Sequence, residues 1–149
     1  MTERLNYFAT SPKAMDILLK QESYLGEQFE GNMFLLELVK LRVSQINQCA
    51  YCIDMHSKDA LKIGEKAERI IGLSAWREMP FYTAMEQCAL QWAELSTLGK
   101  TVSDADFKHA LDTLGKQVLV DLTIAINAIN SWNRIARCFK PDVGSYEAS

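Results

Sequence analysis

The spacing of apolar residues constrains the fold most, because it follows the 3.6-residue period of an α-helix in nearly every segment rather than the two-residue period of a β-strand. No internal repeat and no long Gly, Ser or Pro linker interrupts this pattern. The chain has 149 residues, of which 48% are hydrophobic and 23% charged, enough for one domain with a buried core. The sequence therefore predicts an all-α protein with a single domain over residues 1–149.

The first two long helices have recognisable beginnings. Ser11 is a preferred N-cap residue and Pro12 suits the first helical position, so a helix is predicted from there to about Gln28. The segment 32–47, NMFLLELVKLRVSQIN, is apolar on most of its circumference, Phe34 included. Such a helix is buried on several sides, so this segment is predicted to be the core helix.

A third helix is predicted directly after the core helix, over residues 48–64. Asn47 would be its N-cap and Gly64 its C-terminal signal. Further downstream, Ser103 and Asp106 form a weak variant of the capping box. The remaining predicted helical segments are 65–73, 74–79, 81–99, 103–115 and 116–139. The last of these is apolar over a wide arc, which predicts either deep burial or a subunit interface.

Charge and hydropathy exclude several classes of partner. The formal net charge is -3, the pI is about 5.4 and lysines and arginines form no cluster, so nucleic acid is not an expected partner. Neither a secretory leader nor an apolar run long enough to cross a membrane is evident. We therefore expect a cytoplasmic protein without a membrane partner. Thiols are kept reduced in that compartment, so a close cysteine pair there is typically catalytic or metal-binding.

Such a pair occurs in the stretch CAYCIDMH, residues 49–56. On a helix, Cys49, Cys52 and His56 fall on one face, so the three reactive groups can meet. Cysteines at the start of a helix also experience the positive end of its dipole, which favours thiolate over thiol. The pattern therefore indicates an activated thiol.

A carboxylate upstream completes the pattern. Glu37 has Met33, Phe34 and Leu41 at helical neighbour spacing, so it lies along an apolar stripe where a lone charge would cost several kcal/mol. In one continuous helix Glu37 would lie about 18 Å from the first cysteine. A chain reversal near Asn47 would instead bring Glu37 against the histidine.

The spacing Glu37, eleven residues, Cys49, two residues, Cys52, three residues, His56 resembles the active-site signature of the alkylhydroperoxidase D (AhpD)-like proteins of the carboxymuconolactone decarboxylase superfamily. The similarity includes the flanking sequence LRVSQINQCAYCIDMHSKDALKIGE and, near the C-terminus, INSWNRIA. A bare CxxC would be a weak signal, but four placed residue types with their flanks are fairly specific.

The resemblance implies an all-helical thiol-dependent peroxidase or disulfide reductase. Cys52 would be the peroxidatic thiolate and Cys49, the more accessible of the two, would resolve its sulfenic acid as a disulfide. His56 would act as base and Glu37 would orient it. No bound cofactor is implied. The implied partners are a peroxide or other small oxidant, an external dithiol or lipoylated protein as reductant, and further copies of the chain in a dimer, trimer or hexamer.

One residue departs from the family pattern. Tyr51 precedes the second cysteine, where some members have a second histidine. The site then has one imidazole, which leaves the oxidant and the rate open. Lactone decarboxylation, which names the superfamily, is disfavoured because the relatives that perform it lack the cysteine pair.

Simpler interpretations compete for these residues. A zinc site built on the cysteine pair would need more ligands, and the candidates Cys88, Cys138 and His109 are widely separated. Glu37 could pair with Lys40 at i+3 instead of with the histidine. The alternative function is therefore a helical oligomer that senses redox state or binds zinc without turnover.

For the remaining polar residues the sequence predicts structural positions rather than catalytic roles. Cys88 lies in an apolar stripe and is expected to be a small buried side chain, whereas His109 is expected on a solvated face. The strip Asn127, Asn130 and Asn133 on the last helix is either an interface network or its exposed side.

Overall fold

The computed structural model describes residues 3–149; Met1 and Thr2, which the predicted domain range includes, lie outside it. Eight α-helices and two 3-10 helices account for most of these described residues, and no strand occurs among them. The all-α prediction is therefore confirmed. The α-helices are α1 Tyr7–Thr10, α2 Pro12–Gln28, α3 Met33–Ile46, α4 Ala50–Lys62, α5 Ala67–Ile71, α6 Ala84–Thr97, α7 Asp104–Leu114 and α8 Lys116–Phe139. The 3-10 helices are Glu30–Asn32 and Gly72–Glu78.

The core helix α3 packs against α4, α6 and α8. Its apolar circumference makes this possible, since Leu36, Val39 and Val43 enter one core cluster and Leu38 and Leu41 enter another. Phe34 is an exception to the prediction, because 41% of its surface is exposed. It lies in the first turn of the helix, where fewer neighbours surround it.

The wide apolar arc of α8 is buried within the chain itself. Leu122, Ala125 and Ile126 are 0% exposed and belong to the same cluster as α3. Trp132 is partly buried against that cluster. Of the two predictions for this arc, deep burial is confirmed.

Local sequence signals set several helix ends. Pro12 begins α2, although Ser11 before it makes no side-chain capping bond. Ser103 and Asp106 form the predicted capping box at the start of α7. The short helix α1 was not predicted; Asn6 caps it by accepting a hydrogen bond from the N–H of Ala9.

None of the helices within residues 3–149 combines the length and the hydropathy that crossing a bilayer requires.

Candidate active site

The chain reverses between α3 and α4, as the Glu37 argument required, but Asn47 does not cap α4. Asn47 has helical backbone angles and is the C-cap of α3, while Cys49 occupies the N-cap position of α4. Gln48 between them adopts a left-handed conformation with φ 55°. The predicted N-cap at Asn47 is therefore wrong.

Long-range hydrogen bonds to α8 explain this difference. The side-chain amide of Asn47 donates to Asn130 Oδ1 at 2.8 Å and to Asn133 Oδ1 at 2.9 Å. Asn133 is 0% exposed and donates to Ser44 Oγ at 3.0 Å. These two bonds turn the Asn47 side chain towards α8 and tie the turn to that helix. The N-cap position of α4, whose free N–H groups need an acceptor, falls to Cys49 instead. Two of the three asparagines of the strip take part in this network: Asn133 is buried and Asn130 is half-buried, whereas Asn127 is exposed.

The reversal brings Glu37 of α3 against His56 of α4. Glu37 Oε2 and His56 Nδ1 are 2.8 Å apart, and both residues are buried. An ionised carboxylate can only accept, so Nδ1 is the donor in this bond and Nε2 is the nitrogen left for another group. Lys40, the competing partner for Glu37, pairs instead with Glu22 of α2, with Nζ and Oε2 2.8 Å apart.

Burial and charge act in opposite directions on Glu37. Burial alone would raise the pKa of its carboxyl, but the hydrogen bond and positive charge of His56, helped by the charge of Lys40, bring the pKa below its ordinary value. Glu37 is therefore a carboxylate at neutral pH. A buried anion held against an imidazole fixes the orientation of the ring.

The two cysteines form a disulfide with their Cα atoms 5.3 Å apart. Cys49 is the N-cap of α4 and Cys52 lies in its first turn, so both sulfurs are close to the unpaired N–H groups of the helix. On reduction this position favours the thiolate of Cys52. Cys49 is 1% exposed and Cys52 is 3% exposed, so the expectation that Cys49 is the more accessible cysteine is not met in this oxidised state.

A pocket of about 360 Å³ opens onto Cys52, His56 and Glu37. Most of its wall is aromatic or aliphatic, and the side chains include Tyr7, Phe8, Leu19, Tyr51, Met55 and Trp132. Such a wall suits the apolar substituent of a small molecule, and the acidic and basic residues that also line the pocket are Glu22, Glu37, Lys40, His56 and Asp59.

Cys49 faces a separate groove. This groove lies between the start of α4, the end of α8 and the chain after it, and its lining includes Cys49, Ala50, Arg137 and Val143. Cys52 and His56 do not line it, whereas Tyr51 borders both spaces. The two cysteines of the disulfide thus line different spaces.

Two functional candidates were missed by the sequence analysis. Asp59 lies one turn after His56, and Tyr146 comes from the chain after α8. The hydroxyl of Tyr146 donates to Asp59 Oδ1 at 2.7 Å, and both residues line the pocket beside Cys52. Spacing along α4 could have indicated Asp59, because it is seven residues after Cys52 on the same helical face. Nothing in the local sequence indicates Tyr146.

The residues best placed to hold a metal ion are not the cysteines. Glu37, His56 and Asp59 each offer a ligand atom, and these atoms lie within 4.8 Å of one another. One imidazole and two carboxylates suit zinc or another divalent transition metal. The zinc candidates from the sequence lie elsewhere: Cys88 is buried in the core cluster of α3 and α8, as predicted, and Cys138 and His109 are exposed.

The all-helical fold and the CxxC pair beside a buried glutamate and histidine define an AhpD-like protein. Residues 34–95 match the model of the carboxymuconolactone decarboxylase family. The chain belongs to this superfamily as an AhpD-like member.

Two bacterial proteins are similar to this chain over most of its length. The chain is 43% identical over 138 residues to YdfG of Bacillus subtilis (strain 168), an uncharacterized protein, covering 91% of this chain and 93% of YdfG. It is 36% identical to the protein of unknown function ATU0492 from Agrobacterium tumefaciens, which is provisionally named an antioxidant defence protein AhpD. That crystal structure superimposes with a TM-score of 0.86, and 99% of each chain is covered.

A more distant structure shares the fold. The uncharacterized peroxidase-related protein from Silicibacter sp. TM1040 is 18% identical, with a TM-score of 0.81 over 93% of this chain and 74% of that one.

Proposed function

We propose that this protein is a thiol-dependent peroxidase that reduces organic hydroperoxides with the Cys49 and Cys52 pair. The observation that carries the proposal is a disulfide at a helix N-terminus, one turn from a buried histidine that is hydrogen-bonded to a buried carboxylate. This is the arrangement of nucleophile, base and orienting group that activates a thiol.

The cycle starts from the reduced pair. His56 accepts the proton of Cys52, and Glu37 stabilises the imidazolium that results. The Cys52 thiolate attacks the terminal oxygen of the hydroperoxide, the O–O bond breaks, and the departing alkoxide takes the proton from His56. The products are a Cys52 sulfenic acid and an alcohol.

Resolution needs only the neighbouring cysteine. The Cys49 thiol attacks the sulfenic sulfur, the hydroxyl leaves as water, and the disulfide forms. An external dithiol then attacks Cys49 from the groove on its own side. Cys52 is the leaving thiolate in this step, close to the helix N-terminus that stabilises it, and the second thiol of the reductant releases Cys49.

The remaining parts of the proposal concern partners. The reductant is a small dithiol or a lipoylated protein, and the compartment is the cytoplasm, where such reductants keep the pair turning over. The chain forms a homo-oligomer, a proposal supported by exposed apolar side chains on α1 and α2: Phe8 is 44%, Ile17 68% and Leu19 46% exposed. Light scattering coupled to size exclusion gives the subunit number.

Consumption of cumene hydroperoxide by the purified protein, with dihydrolipoamide as donor, tests the activity. Cys52→Ser is expected to abolish consumption, and Cys49→Ser to stop after one turnover with a sulfenic acid that dimedone labels. Cys138→Ser is the matched control, because that thiol is exposed and outside the site. Equal consumption in all variants, or none in the unsubstituted protein with any dithiol, would exclude the proposal.

A second candidate function rests on the Glu37, His56 and Asp59 cluster. These residues could hold a divalent metal ion in a protein that senses redox state without turnover. Metal analysis of protein purified under reducing conditions separates the two functions, since about one ion per chain with no peroxide consumption favours the sensor.

A further inference from the structure

The chain after α8 folds back onto the active-site helix. Lys58 of α4 holds it there, because its Nζ donates to the carbonyl of Gly144 at 3.2 Å and to that of Tyr146 at 2.9 Å. The same ammonium pairs with Asp54 Oδ2 at 2.9 Å, one turn earlier on α4. Three acceptors around one lysine fix its position and that of the backbone at Tyr146.

This anchoring places the Tyr146 side chain at the edge of the Glu37 and His56 pair. Its hydroxyl donates to Asp59 Oδ1 at 2.7 Å, and its ring is part of the pocket wall that contains Cys52. The pKa of the Tyr146 hydroxyl is raised to about 12 by burial, by its hydrogen bond to Asp59 and by the charges of Asp59 and Glu37. The hydroxyl therefore stays protonated and remains a donor throughout the neutral range.

Asp59 needs such a partner, because it is a second carboxylate beside a single imidazole. An oxygen of the Asp59 carboxylate lies within 4.8 Å of a carboxylate oxygen of Glu37 and of a ring nitrogen of His56. At i+3 on the same helix, an aspartate is within reach of a histidine through one rotation about χ1. An Asp59 carboxylate turned towards Nε2 of His56 would occupy the nitrogen that Cys52 needs.

We propose that Tyr146 is a positioning residue of the site: its hydroxyl holds the Asp59 carboxylate away from His56, so that Glu37 is the single carboxylate bound to the imidazole and Nε2 stays available to Cys52. The inference deepens the proposed function, from which it takes Cys52 as the reactive thiol. It also gives the site a polar side chain from outside the CxxC motif, in a chain where Tyr51 stands in place of a second histidine.

Other charged and titratable groups border the same pocket, and the variants that test the proposal leave all of them unchanged. They are Glu37 and Lys40 from α3, Glu22 from α2, Tyr7 from α1, Tyr51 from α4 and, next to the pocket, Asp54 and Lys58. The groups that α8 contributes to this wall are apolar or aromatic: Ile129, Trp132 and Ala136.

The test measures formation of the Cys52 thiolate rather than peroxide turnover. In a Cys49→Ser background, the rate of Cys52 alkylation by iodoacetamide is followed from pH 4 to pH 9 by peptide mass spectrometry. Four proteins are compared: this background, the same with Tyr146→Phe, with Asp59→Asn, and with both. Tyr146→Phe keeps the ring and removes the hydroxyl alone, and circular dichroism verifies that each variant is folded.

Tyr146→Phe is expected to raise the midpoint of the alkylation profile by about half a pH unit, which slows alkylation roughly threefold below the midpoint. The released Asp59 carboxylate competes with Cys52 for His56 and repels the Cys52 thiolate, and each of these effects raises the midpoint. With Asp59→Asn present, adding Tyr146→Phe should leave the midpoint unchanged, since the carboxylate that Tyr146 restrains is gone.

Two outcomes would overturn the inference. One is an unchanged midpoint in Tyr146→Phe; the other is an equal shift with and without Asp59→Asn, which would mean that Tyr146 acts only as part of the wall. Because alkylation needs no peroxide, a protein without peroxidase activity still gives a valid result. A protein with that activity and no shift refutes this inference alone.

Discussion

Replacing Glu37 by glutamine tests the coupling between the buried carboxylate and the active thiol. The substitution keeps the size of the side chain and an oxygen that can accept from His56 Nδ1, and it removes only the negative charge. Without that charge the imidazolium is less stable, so His56 is a weaker base towards Cys52. Both the stability of the protein and the reactivity of Cys52 should therefore fall.

The geometry sets the size of the effect. Glu37 Oε2 and His56 Nδ1 are 2.8 Å apart. The Glu37 and His56 side chains are 7% and 5% exposed, so solvent screens this pair little. A hydrogen bond to a charged group contributes about 1.5–3 kcal/mol net and a neutral one about 1 kcal/mol. We expect Glu37→Gln to lower the free energy of unfolding by about 1–2 kcal/mol at pH 7. If the His56 imidazolium loses the same stabilisation of about 1–2 kcal/mol, Cys52 alkylation slows about 5- to 30-fold.

The loss of stability should depend on pH. Burial raises the pKa of Glu37, but His56 and Lys40 outweigh it, so the pKa in the folded protein lies below the ordinary value of 4.5. A lowered pKa adds stability that is fully present above the pKa of the unfolded chain and is lost as the pH falls through the folded pKa. The difference in unfolding free energy between the two proteins should therefore be constant near neutral pH and shrink below about pH 5.

Urea unfolding between pH 3 and pH 8 measures the loss of stability. Iodoacetamide alkylation in a Cys49→Ser background measures the loss of Cys52 reactivity. Glu94→Gln is the matched control, because Glu94 is also a buried carboxylate and pairs with Arg42 at 2.9 Å and Arg77 at 2.6 Å, away from the pocket. It should lose stability and leave the alkylation rate unchanged. If both variants slow alkylation equally, or if Glu37→Gln does not slow it, the coupling between the Glu37 carboxylate and the Cys52 thiol is refuted.

Two further predictions concern the turn and the unpaired cysteines. Asn133→Ala should lower the free energy of unfolding by about 2 kcal/mol, since it removes the hydrogen bonds of a fully buried side chain to Asn47 and to Ser44. Asn127→Ala at an exposed position should change it by less than about 0.5 kcal/mol, and equal urea midpoints for the two variants would contradict this. In the oxidised native protein, iodoacetamide should label Cys138 long before Cys88, because Cys138 is exposed while burial raises the pKa of the Cys88 thiol. Equal labelling rates by mass spectrometry would show that the core around Cys88 opens readily.

Much of the local structure could be predicted because its causes are local. The 3.6-residue period placed α8 over residues 116–139, where the structure has it, and the Ser103 and Asp106 capping box marked the start of α7. The short helix α1 was missed because it has a single turn, too few residues for a periodic pattern. Asn47 was misplaced for a different reason. Asparagine is common at both ends of helices, so a local signal could not decide which end it served.

The sequence by itself determined that the chain is helical and that a thiol pair, a histidine and a glutamate recur at a family spacing, because these properties depend on residue type and distance along the chain. The tertiary structure decided how the turn at Asn47 is held and which residues surround the pair. Asn47 bonds to side chains 83 and 86 residues away, and Tyr146 reaches Asp59 across 87 residues. Local periodicity carries no information about such contacts, which form only when segments distant in sequence pack together.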